Sequence, residues 1–159
     1  MTSLWIAIIG ILGTLSASLS TQLLHARAED RRSLAEEQRR ISDLRREALA
    51  EFADTLMSYR RAQLQNWYEA RAQGVDADHT AVAFELRELR ASAWSALYRV
   101  QLLWRDKAVV EGARTLVDAV TTFKALADQK ALGDSADQVR EELSIVMDRA
   151  RESLLSLVE

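Results

Sequence analysis

Side chains that could carry acid-base, metal or nucleophilic chemistry are scarce in this sequence. It has no cysteine, which excludes disulfide frameworks, zinc-thiolate sites and thiol catalysis. Of its two histidines, His79 lies near the carboxylates of Asp76 and Asp78, and His25 is predicted to be an interfacial polar residue at the lipid boundary. Donors on one short segment, without a further ligand or a supporting shell, make a poor metal site, so we predict that the two aspartates cap a helix instead. We expect no metal and no cofactor.

Enzyme motifs are also missing from the sequence. It contains no glycine-rich phosphate loop, no H-E-x-x-H and no G-x-S-x-G, the patterns that place catalytic groups in common enzyme classes. Adjacent carboxylates such as Glu141 and Glu142 point to different faces of a helix rather than into one pocket. We therefore predict a protein that is not an enzyme and has no catalytic residues.

Aromatic and arginine side chains offer the remaining candidate site. Such residues dominate the binding energy of many protein interfaces. The candidate partner surface consists of Trp67, Trp94, Tyr98, Arg99, Trp104 and Arg105. The other interpretation, which we favour, is that the tryptophan rings fill a core made otherwise of alanine and leucine.

The elements that position these residues are predicted to be helices. The chain of 159 residues has no proline and five glycines, too few turn-forming residues for a fold rich in strands or loops. Apolar residues recur every three or four positions from Ile41 to about Ala72, and again from Val82 to the vicinity of Trp104. Two further stripes run from Val109 to Ala127 and from Val139 to Leu157. These patterns predict an all-α fold in which residues 41–159 form an antiparallel four-helix bundle.

Helix ends can be predicted from capping residues. Gly74 is expected to end the first long helix, and Asp106 to cap the third. Ser135 and Gln138 match the S-x-x-Q capping box, which predicts that the fourth helix begins there.

Residues 1–24 are predicted to be a transmembrane anchor. Residues 4–24 carry no charge, and a helix of that length spans roughly 30 Å, the thickness of the hydrocarbon core. No Lys or Arg precedes this segment, whereas Arg27, Arg31 and Arg32 follow it. The positive-inside rule then predicts a single-pass protein of the cell membrane, with its N-terminus outside and its helical bundle in the cytoplasm. A cleaved secretory signal and a buried soluble helix are the alternatives.

Small residues form two lines along this segment, with four-residue spacing. One line is Gly10, Thr14 and Ser18, and the other is Gly13, Ala17 and Thr21. Such lines let helices approach closely in lipid, which predicts a homo-oligomer. The alternative is that these residues are merely common in membrane helices.

Residues 25–40 are predicted to be a charged helical stalk. Opposite charges lie three and four positions apart, as at Glu36 and Arg40, and support a solvated helix. The seven-residue steps from Leu34 to Ile41 to Ala48 suggest a short coiled coil. The basic residues favour contact with the lipid surface over nucleic acid, because acidic residues interleave them and the net charge of the chain is -3.

Four segments give the chain a family resemblance. They are LWIAIIGILGTLSASL at 4–19, RAEDRR at 27–32, SYRRAQLQNW at 58–67 and ELRASAWSAL at 88–97. In order and spacing they resemble small actinobacterial membrane proteins of the KilB family. That resemblance implies a part in conjugative plasmid transfer or spread, and it carries no catalytic residues.

Three functions are open at this point. The one we favour is a membrane-anchored, self-associating helical scaffold, accessory to plasmid transfer. A second is a membrane-tethered sensor or regulator that binds a protein partner through the aromatic and arginine residues. A third is a membrane-active toxin or pore component.

Overall fold

The protein is almost entirely helical over the residues that the structure describes. The structure is a computed structural model that describes the backbone of residues 2–72 and 80–155 and the side chains of residues 32–72 and 82–155. Its α-helices are α1 (Thr2–Ala72), α2 (Thr80–Leu103), α3 (Lys107–Thr122) and α4 (Gln129–Leu155). A short 3-10 helix, Phe123–Ala125, extends α3. These residues contain no strand, so the predicted all-α class is confirmed.

The chain divides into two compact units, Met1–Ile41 and Ser42–Glu159. Within the described residues, no helix is both long enough and apolar enough to cross a membrane. The predicted span, residues 4–24, lies outside the residues whose side chains the structure describes. The division of the first 40 residues into an anchor (1–24) and a stalk (25–40) stays a prediction.

The predicted apolar stripe of α1 becomes buried from Ala48 onward. Ala48, Phe52 and Leu56 are fully buried, whereas Ile41 and Leu44 are 36% and 39% exposed. The stripe therefore enters the core about two turns later than its start in the sequence.

One hydrophobic core takes side chains from all four helices. The inner stripe of α2 contributes Leu97 and Val100, and α3 contributes Val109 and Leu116. The buried residues of α4 recur at three- and four-residue steps, which is the spacing of one helix face: Leu132, Ala136, Val139, Leu143, Val146 and Ala150. Burying one such face per helix is the main stabilising contribution to this unit.

The N-terminus of α3 is capped as the sequence predicts. The carboxylate of Asp106 accepts a hydrogen bond from the Ala108 N–H at 2.9 Å, and the Arg149 guanidinium lies 3.4 Å from its other oxygen. The Ala108 N–H, and after it Arg149, hold the pKa of Asp106 below its ordinary value.

The predicted start of α4 is wrong. The helix begins at Gln129, and the Asp128 carboxylate accepts from the Ala131 N–H at 2.8 Å. Ser135 and Gln138 lie inside the helix, where the Gln138 amide donates to Glu142. Gly133, just before Ser135, is also an exposed helical residue.

Polar side chains of α1 bind carbonyl oxygens at the ends and along the sides of the other helices. The Arg45 Nε donates to the Leu103 carbonyl at the end of α2 (2.8 Å). The Trp67 Nε1 donates to the Leu126 carbonyl after the 3-10 helix (3.1 Å). The buried Arg60 Nε donates to the Ala136 carbonyl of α4 (3.0 Å). These bonds fix α1 against elements that are distant in sequence.

Candidate functional site

Helix α2 has apolar side chains on two opposite faces. Its inner face, including Ala93, Leu97 and Val100, is buried in the core, as the predicted stripe requires. On its outer face, Phe84, Tyr98 and Leu102 are 63%, 55% and 85% exposed. An ordinary surface helix has one apolar stripe and a polar opposite side. The outer face of α2 therefore has apolar surface that the described residues leave uncovered.

Arginine and aromatic side chains line a shallow groove on this outer face. The lining residues are Arg87, Arg90, Ala91, Trp94 and Tyr98, and we call them the α2 face. Phe84, Ala91 and Tyr98 recur at seven-residue steps, and Arg87 and Trp94 form a second such series. A seven-residue repeat keeps side chains on one side of a helix over several turns.

The groove combines a rigid ring pair with unpaired positive charge. The rings of Trp94 and Tyr98 lie 5.9 Å apart with their planes inclined by 40°. Arg87 and Arg90 are exposed, and neither forms an ion pair with the described part of the chain. Rings with few rotatable bonds and free guanidinium groups suit the recognition of an acidic, partly apolar surface.

The predicted partner residues are divided between the core and the surface. Trp94 is half-buried and Tyr98 is exposed, so both contribute to the α2 face. Trp67 and Trp104 are buried, 4% and 5% exposed, and belong to the core. For those two rings the structure agrees with the interpretation that we favour from the sequence, in which tryptophan fills the helix-helix core.

The two remaining candidates have separate environments. Arg99 is bound to Glu51 of α1 in an exposed ion pair, so its charge is partly neutralised. Arg105 is exposed in the connection between α2 and α3. Neither lines the groove of the α2 face.

Among the described side chains, aromatic rings form two pairs, each on one helix. Trp67 and Tyr68 meet edge to face with ring centroids 5.3 Å apart, and the Arg71 guanidinium lies 3.5 Å from the centroid of Trp67. Arg71 also donates to the carbonyls of Leu126 and Ala127. This arrangement ties the end of α1 to the segment after the 3-10 helix and is structural.

Several predicted residues lie where the structure describes no side chain. Among them are the small residues of the predicted span, namely Gly10, Gly13, Thr14, Ala17, Ser18 and Thr21. Asp76, Asp78 and His79 lie in a second undescribed segment. Over the described residues, no group of histidine and carboxylate side chains could hold a metal ion.

Sequence reasoning missed Phe84, Arg87, Arg90 and Leu102. The signal was present, because the apolar positions 84, 91, 98 and 102 fall opposite the core stripe of the same helix. The sequence pattern of one apolar stripe per helix assigns the residues opposite that stripe to the solvent, so a second apolar stripe on the same helix is not predicted.

Comparison with known proteins places this surface within a family domain. The family model described as KilB plasmid transfer protein matches residues 46–154, a range that includes the whole α2 face. No curated protein and no solved structure matches the chain.

Proposed function

Because the chain belongs to the KilB plasmid transfer protein family, we propose that it is a non-enzymatic helical scaffold, anchored in the cell membrane and accessory to plasmid transfer. Its α2 face is the contact surface through which it acts. The observation that carries this proposal is the ring pair of half-buried Trp94 and exposed Tyr98, with two unpaired arginines beside it, inside the family domain. Exposed apolar and aromatic surface of this kind typically marks an interaction site.

The scaffold interpretation is supported by the way the helices are held. Four helices share one core, and Arg45, Arg60 and Trp67 of α1 each bind the backbone of a different segment. These features favour the antiparallel four-helix bundle that the sequence predicts. Such a bundle is a rigid support on which a binding face keeps its shape.

Membrane anchoring is supported by the sequence of residues 4–24. The segment is uncharged and is followed by Arg27, Arg31 and Arg32, which favours retention of its C-terminal side in the cytoplasm. In this proposal the protein is a single-pass protein whose family domain faces the cytoplasm. The two lines of small residues, which include Gly10 and Gly13, support self-association within the membrane.

A plasmid-transfer assay tests the proposed role. Donor cells carry a plasmid deleted for this coding sequence and are complemented with the wild-type chain or with Trp94→Ser/Tyr98→Ser. We expect transfer to fall on deletion, to recover with the wild type and to recover only partly with the variant. The control Leu44→Ser removes a partly exposed apolar side chain of α1 outside the groove. Full transfer by the deleted plasmid contradicts the proposed function.

Cysteine labelling tests the topology. The chain has no native cysteine, so Ser3→Cys and Ser156→Cys can each be labelled with a membrane-impermeant maleimide. We expect Ser3→Cys to react in intact cells and Ser156→Cys to react only in opened cells. Labelling of Ser156→Cys in intact cells would place the family domain outside the cell.

A further inference from the structure

Helix α4 also has an outer face, and its chemistry is the reverse of that of α2. Five exposed carboxylates follow the side of the helix opposite the core, those of Asp134, Asp137, Glu141, Asp148 and Glu152. Among them lie two exposed apolar residues, Ile145 and Leu155, at 59% and 64%. We call these seven residues the α4 face.

Most of the negative charge on the α4 face is unpaired. Asp137 lies 3.4 Å from Arg140 in an exposed pair on the same helix. Asp148 and Glu152 form no ion pair with the described part of the chain. Together with Ile145 they line a shallow groove along the helix, flanked by the Asp106–Arg149 pair. Like charges on one helix side repel each other unless a cationic surface covers them.

The α4 face, like the α2 face, runs along one side of its helix. Glu141, Asp148 and Leu155 lie at seven-residue steps, as do Gln138, Ile145 and Glu152. Two faces of this kind can pack side by side over several turns. The aromatic residues of one helix then lie against Ile145 of the other, and the arginines of the first lie against the carboxylates of the second.

From this complementarity we infer that the α2 face of one chain docks on the α4 face of a second copy of the same chain. This inference rests on the proposed scaffold role and names its partner. Both faces are exposed in the single chain and have opposite charge. The α2 face, from Arg87 to Tyr98, extends over about 17 Å of helix. Such a small contact area gives a weak and salt-sensitive interaction. Anchoring in one membrane raises the effective concentration of the faces for each other.

The inferred contact joins two different surfaces. An open assembly then has a free α2 face on the chain at one end and a free α4 face on the chain at the other end. Such a heterologous contact generates a ring or an open chain rather than a closed pair. The scaffold therefore grows beyond a dimer as its concentration rises.

Charge reversal on each face tests the inference. Full-length chains in detergent micelles carry Arg87→Glu/Arg90→Glu (the α2 variant) or Asp148→Arg/Glu152→Arg (the α4 variant). Matched controls with the same charge changes on exposed residues of α3 and the 3-10 helix are Arg114→Glu/Lys124→Glu and Glu111→Arg/Asp118→Arg. Sedimentation velocity measures association of each chain alone and of mixtures.

We expect each variant alone to associate roughly tenfold more weakly than the wild type, since like charges then meet in the contact. A mixture of the α2 variant with the α4 variant should regain association, because each keeps the face that the other lacks. A chain carrying both reversals should also regain it, which shows that the variants fold. Association through residues 4–24 is common to all samples and cancels in the comparison.

Two outcomes would overturn the inference. One is that the mixture associates no better than each variant alone. The other is that the α4 variant associates as strongly as the wild type, while a short DNA duplex binds the wild type and not the α2 variant. That result would assign Arg87 and Arg90 to nucleic-acid binding. The proposed function can fail independently of this inference. In that case the mixture still associates, but all variants support normal plasmid transfer.

Discussion

A Cβ atom at Gly112 of α3 would lie 2.7 Å from Cγ2 of Val146 in α4. Val146 is buried, and its branched side chain has little rotameric freedom in a helix. The two helices therefore approach each other at a position where only glycine fits. This close approach holds α4, and with it the acidic outer face, against the core.

We predict that Gly112→Ala destabilises the protein by about 1–3 kcal/mol, since the added methyl group forces α3 and α4 apart. Gly133→Ala is the matched control. A Cβ at Gly133 meets nothing within 4 Å, so this change should stabilise α4 by about 0.5–1 kcal/mol through helix propensity. Chemical denaturation of both variants measures the difference. Equal effects of the two substitutions would contradict the close approach.

The buried Arg60 gives a second prediction. Its Nε donates to the Ala136 carbonyl, and burial, together with nearby Arg140, lowers the pKa of Arg60 against an opposing effect of Asp137. Arg60→Ala removes this hydrogen bond and the packing of the aliphatic part of the side chain. The free energy of unfolding should therefore fall by about 1–3 kcal/mol. Arg61→Ala, at an exposed neighbouring position, should change stability by less than about 0.5 kcal/mol. Denaturation of the two variants gives this comparison, and similar losses would show that Arg60 contributes nothing specific.

Two buried tryptophans differ in the partner of their indole nitrogen. The Trp67 Nε1 donates to the Leu126 carbonyl, whereas the buried Trp104 Nε1 has no hydrogen-bond partner among the described residues. Trp67→Phe and Trp104→Phe remove the same volume, but Trp67→Phe also removes the hydrogen bond and weakens the contact with Arg71, which lies 3.5 Å from the Trp67 ring centroid. We expect Trp67→Phe to lower the free energy of unfolding by about 1 kcal/mol more than Trp104→Phe does. Thermal unfolding of both variants measures this, and the opposite order would be inconsistent with the hydrogen bonding described.

Acid should weaken the start of α3. The pKa of Asp106 is lowered in the folded protein by the Ala108 N–H and by Arg149. A lowered pKa means that this stabilisation is present above the unfolded-state pKa and is lost as the pH falls through the folded-state pKa. Asp106→Asn, which still caps the helix, should lower the thermal midpoint at neutral pH and have no effect at a pH below the folded-state pKa. The control Asp118→Asn removes an exposed carboxylate from the same helix. A constant effect of Asp106→Asn at every pH would contradict the assignment.

The sequence predicted the helices better than it predicted their ends and outer surfaces. The inner stripe of α2 and the cap at Asp106 follow from local patterns, and the structure agrees with both. The start of α4 was misplaced because Asp128 and Ser135 both resemble caps, and Asp128 is the one whose side chain accepts a backbone N–H. The assignment of Trp67 and Trp104 to the core depends on contacts between distant segments, such as the bond from Trp67 to Leu126. No local period contains that information.

Plasmid transfer by charge-reversed chains tests the central claim most directly. Donors carry the deleted plasmid and one of four chains at equal membrane levels: the wild type, the α2 variant, the chain with both reversals, or the control Arg114→Glu/Lys124→Glu. We expect reduced transfer with the α2 variant and near-normal transfer with the other three chains, because the faces are complementary again when both are reversed. Wild-type transfer by the α2 variant would contradict a scaffold that acts through the α2 face.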